Sequence, residues 1–142
     1  MSNVLKRFRK ETELQFMMNA VDLQIELTKF VMSDKNVPKK YRLVVGVSIV
    51  QKVDELVDNL NFANCIFPQT QDDFAKRAEY QRLAMTNVWQ LHNKLVRMIE
   101  CIDTVKVEKM TKIIELLNSE IPLIKAWMKS DKEKMKKLFA VS

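Results

Sequence analysis

Apolar residues recur along this chain in alternating steps of three and four, the spacing that lines one face of an α-helix. Ile49, Val53, Leu56, Leu60, Ala63 and Phe67 make one such stripe, and Ala84, Val88, Leu91, Leu95, Met98 and Ile102 make a second. A third, Val107, Met110, Ile114, Leu117, Ile121, Ile124 and Met128, keeps phase through Pro122, so that proline reads as a kink within one helix. Breaks fall at SDKNV, at Pro68 and at Asp103. Pro38 suits a first helical turn, where its missing N–H has no partner to lose. Thr70, followed by Asp72 and Asp73, supplies a hydroxyl cap with acids in the first turn, and Asp103 with Thr104 is expected to cap the last helix. The pattern predicts an all-α fold with helices at about 8–32, 38–67, 70–101 and 104–130. Short connections make neighbours antiparallel, giving an up-down-up-down four-helix bundle in a single domain spanning 1–142. The basic tail, 131–142, is expected to fray or to add a short helical turn.

The first helix breaks the pattern by having two stripes. Leu14, Met18, Val21, Ile25 and Met32 form one; Phe16, Ala20, Leu23, Leu27 and Phe30 form another, rotated by roughly half a turn at ~100° per residue. Two greasy faces are covered either by the chain itself or by another copy. Each helix of a lone bundle keeps an outer face, so the second stripe is expected to be the interface of a homo-oligomeric barrel.

Composition narrows the chemistry. Hydrophobic residues make up 47% and charged residues 30%, a globular balance. A single glycine, Gly46, excludes a hairpin-rich β fold and the glycine-rich loops that cradle phosphates. Cys65 and Cys101 would close antiparallel helices at opposite ends, on the order of 40 Å apart at ~1.5 Å per residue. That is too far for a disulfide or a shared metal, and both are expected to fill the core. His92, the only histidine, reads as structural, and Asp54, Glu55 and Asp58 as a solvated helix face. The expectation is a non-enzyme without cofactor or metal. No run approaches the ~18 apolar residues of a membrane span, and the basic start has no apolar leader segment, so a cytoplasmic location is expected.

The net charge of +6 is unevenly spread. Lys6, Arg7, Arg9 and Lys10 crowd the N-terminus, and Lys125, Lys129, Lys132, Lys134, Lys136 and Lys137 the C-terminus. In an up-down-up-down bundle these two clusters share one end. Lys39, Lys40 and Arg42 mark the opposite end, and Arg77, Arg82, Lys94 and Arg97 could join the two along the third helix. Such a distribution suits phosphate contacts read by charge and shape. Tyr41 and Tyr80 are too few for a base-stacking platform. A membrane-surface role for Met135, Leu138 and Phe139 is the weakest alternative, and no membrane partner is expected.

VPKKYR opening the second helix, the run DELVDNLNFAN, a basic amphipathic third helix and EIPLIKAWMKS closing the fourth together resemble a known family. It is the four-helix-bundle family of the accessory variability determinant of diversity-generating retroelements, distantly related to ribosomal-RNA intervening-sequence proteins. The resemblance covers roughly residues 14–130. It implies a non-catalytic, basic accessory protein that forms a homopentamer, binds RNA or DNA and a reverse transcriptase, and supports mutagenic reverse transcription. Lys39, Lys40 and Arg42 are the positions that match best. The alternative is a protein-interaction scaffold of a mobile element with no specific nucleic-acid role.

Overall fold

A computed structural model describes residues 14–140. The helix α1 spans Gln15–Met32. The second, α2, is continuous through Lys39–Tyr41, a five-residue π turn at Arg42–Gly46, and Val47–Asn64. Gln71–Cys101 forms α3. A 3-10 turn, Val107–Met110, leads into α4 at Thr111–Phe139. α1 packs on α2 and α4, and α3 packs on the same two, so the helices close a ring in chain order. Gln24 meets Asp54 and Val31 faces Gly46, while Ser48 meets Lys94 and Asn59 meets Asn87. Gln81 meets Asp131 and Phe74 meets Phe139. Residue number rises on one helix as it falls on its neighbour, which makes the four-helix bundle antiparallel.

The heptad-like stripes of α2, α3 and α4 supply most of the core. Leu23 and Leu27 lie under it with Ile49, Leu56, Leu60, Leu91, Met98 and Ile124, all fully buried. This corrects the assignment of α1. Phe16, Ala20, Leu23, Leu27 and Phe30 are the chain's own core, not a face left for another copy. A helix wedged between α2 and α4 buries a wide arc, and that arc also takes Met18 and Val31. What α1 leaves in water is the far edge of the other stripe, Ile25 and Met32.

Other boundaries move for local reasons. The helix α2 stops at Asn64 rather than Phe67, because the residue before a proline is driven out of the helical region. Phe67 is consequently 81% exposed, not core, and Val107 is exposed at the start of the 3-10 turn. Cys65 and Cys101 are free thiols at the surface rather than core filler. Thr104 does not cap α4; its hydroxyl donates to the Asn36 carbonyl at 2.8 Å and ties the α3–α4 connection to the α1–α2 turn. Thr70 behaves as its sequence implies. Its hydroxyl accepts from Asp73 N–H at 3.1 Å while the Asp73 carboxylate accepts from Gln69 and Thr70 N–H. Those backbone bonds hold the Asp73 carboxyl below its ordinary range. The helix α4 runs unbroken through Pro122 and on to Phe139, so the tail, expected to fray or to add a short helical turn, continues α4 as regular helix.

Gly46 has a packing reason. A Cβ there would lie 2.7 Å from Val31 Cγ1, where α1 and α2 approach. Valine has little rotamer freedom to yield in a helix. The one glycine of the chain stands where two helices touch.

Candidate nucleic-acid interface

At the end holding the α1–α2 turn, α1 stops with its last carbonyls unpaired by the helix. Arg42 reaches back across the turn to supply donors. Its Nη2 donates to Met32 O at 2.9 Å, its Nε to Val37 O at 3.2 Å, and its guanidinium pairs with Asp34. Arg42 is therefore a clamp on the turn, its guanidinium engaged within the chain. Lys39 and Lys40 stay exposed, Lys40 with its ammonium 5.0 Å from the Tyr41 ring centre. On the adjoining α3–α4 connection Lys106 and Lys109 are exposed as well.

Along α3, Arg82 and Arg97 are exposed. Lys94 is half-buried and donates to Ser48 Oγ at 2.6 Å, so it serves the α2–α3 contact. Trp89, His92 and Val96 are exposed together on one flank of α3, the Trp89 and His92 rings edge to face.

The other end is built around a second arginine. Arg77 lies over the Trp127 ring at 4.7 Å, its Nε is 3.0 Å from Asp131 Oδ2, and its Nη1 donates to Ile66 O at 3.2 Å. Trp127 stacks in turn on Phe16 with centroids 3.9 Å apart. Gln81 Nε2 also donates to Asp131 Oδ2, at 2.9 Å. Burial draws the Arg77 pKa down while Asp131 opposes it. Arg77, like Arg42, is engaged within the fold. Its partner explains why the sequence pattern faded after Met128. Asp131 stands in the apolar stripe of α4 and is buried only because Arg77 and Gln81 meet it.

With Asp131 spent internally, the last four turns of α4 present cations. Lys125, Lys129, Lys132 and Lys136 follow steps of four, three and four, and Lys134 and Lys137 lie beside them. All six are exposed. Lys125 and Lys129 lie on the part of α4 expected from the sequence, and the four beyond them gain a fixed geometry from the helix reaching Phe139. Lys6, Arg7, Arg9 and Lys10 lie outside the described residues. Leu14 and Phe16 at the start of α1 share a cleft with Trp127 and Lys134, so the described chain enters the bundle at this same end.

One buried acid lies between the ends. Glu120 on α4 is fully buried, and Asn19 Nδ2 donates to its Oε1 at 3.1 Å and to Leu116 O at 2.8 Å. Burial pushes the Glu120 carboxyl up to about 8, against a smaller opposing pull from the Asn19 bond. Below that pH it is a neutral acid in an apolar bundle. Among the described residues no helix is long and apolar enough to cross a membrane. No family model, curated protein or solved structure matches this chain.

Proposed function

We propose that this chain is a non-catalytic accessory protein that binds nucleic acid through its lysines, chiefly those of α4. The observation that carries the reading is the ridge Lys125, Lys129, Lys132 and Lys136, exposed on a regular helix where Asp131 is held by Arg77 and Glu133 is the one exposed acid interposed. Eleven residues at ~1.5 Å each make a ridge of roughly 16 Å. Duplex nucleic acid carries about one charge per 1.7 Å, so such a ridge releases condensed counterions wherever it lies on a backbone. Lys39 and Lys40 add a smaller cationic site at the opposite end. The resemblance to retroelement accessory determinants extends the proposal to docking on a reverse transcriptase, assembly as a homopentamer and a cytoplasmic site of action. Since the Phe16–Phe30 stripe is core, any such assembly uses other apolar surface, such as Trp89 and Val96.

Titrating binding to labelled RNA and DNA against salt tests the reading. Affinity should fall steeply with salt, and reversing all four ridge lysines to glutamate should lower both affinity and salt slope while the helical signal stays. Binding indifferent to salt or to the reversal would sink it. The second reading, an interaction scaffold, is favoured by the exposed flank of α3. It predicts that partner capture survives lysine reversal and fails with Trp89→Asp.

A further inference from the structure

Beyond the lysine ridge, the Arg77 end holds a cleft of about 550 Å³ between the α2–α3 connection and the last turns of α4. Phe67 lines it from the connection and Lys134 and Lys137 from α4, with Arg77 and Asp131 also in the lining. A phenylalanine 81% in water forgoes most of the stabilisation its burial would give, and Pro68 keeps it from rejoining α2. The cleft thus offers a flat apolar face opposite two cations. Asp131 Oδ1 is sealed from the cleft, while its Oδ2 accepts from Gln81 and lies 3.0 Å from Arg77 Nε, so this carboxylate belongs to the packing beneath.

We propose that this cleft holds an unpaired base of single-stranded nucleic acid, its face on Phe67 and its flanking phosphates on Lys134 and Lys137. The inference rests on the nucleic-acid reading above and adds that unpaired strands are preferred to duplex. The two features match one ligand chemistry. A nucleotide of an unpaired strand has a π-face for the ring and an anionic backbone for the lysines. An acyl chain has no charge for the lysines, and an anion alone gains nothing from Phe67. A duplex keeps its base faces stacked away.

The test compares a short labelled single strand, its duplex, and the same strand carrying abasic residues, by fluorescence anisotropy on the whole chain. The single strand should bind tightest. Phe67→Ala should weaken it by about 5- to 150-fold, the range of stacking losses, and leave duplex and abasic binding unchanged. Phe67→Trp should restore it. Because the ring is exposed, circular dichroism should show both variants folded. Lys134→Glu with Lys137→Glu should reduce the single-strand salt slope by about 1.4. Single-strand binding untouched by Phe67→Ala, beside intact duplex binding, overturns this inference alone. Absence of binding to every strand overturns the wider reading with it.

Discussion

The two ends of the bundle use the same residue types in the same division of labour. At the α1–α2 turn, Arg42 is bound to Met32, Val37 and Asp34 while Lys39 and Lys40 stand free. At the other end Arg77 is bound to Asp131, Ile66 and Trp127 while six lysines stand free. The ends differ in depth. Side chains of Arg77 and Asp131 are 12% and 9% exposed, whereas Asp34 is 71% exposed beside Arg42. A planar, weakly hydrated guanidinium suits a buried fork of bonds, and a strongly hydrated ammonium stays in water. Counting cations in the sequence mixes the two; only the fold separates the bound arginines from the exposed lysines.

Removing each clamp tests that contrast most directly. Arg77→Ala strands a buried carboxylate and should cost about 3–5 kcal/mol, read as a lowered midpoint in urea unfolding. Less than about 1 kcal/mol would mean the deep end is no different from a surface pair. Glu120 extends the comparison to a buried acid without a cation. Its folded pKa, about 8, lies above the unfolded 4.5. The stability it contributes is whole below pH 4.5 and is lost as pH rises through about 8. The parent should therefore lose a few kcal/mol relative to Glu120→Gln across that window, and parallel melting curves for the two would refute the burial argument. Gly46→Ala forces a methyl against Val31 and should cost about 1–3 kcal/mol, with unchanged stability the adverse result. Arg42→Ala, at the shallow end, should lose only about 1 kcal/mol. Lys39→Glu with Lys40→Glu should shift stability by less than about 0.5 kcal/mol yet weaken nucleic-acid binding. A large melting shift there would break the division between clamps and contacts.

The helix count, the antiparallel order, the Thr70 cap and the passage through Pro122 were all legible, because each is written in local spacing. α1 was not, since both its stripes are apolar and periodicity does not say which turns inward. Phe67 fitted the α2 stripe by number alone, while the backbone preference set by Pro68 took it out. The lysines beyond Lys129 looked like a loose tail because Asp131 occupies an apolar position, and its partner is 54 residues earlier in the chain. Charge partners at that separation leave no mark on local pattern.

The π turn at Arg42–Gly46 accommodates one residue more than a regular turn would. Deleting Val44 would let α2 wind evenly, and everything upstream would swing by roughly 100° about the helix axis. Lys39 and Lys40 would then face a different neighbour, and Val31 would turn away from Gly46. That extra residue acts as a phase-setter, fixing the bearing of the whole α1–α2 corner against the rest of the bundle.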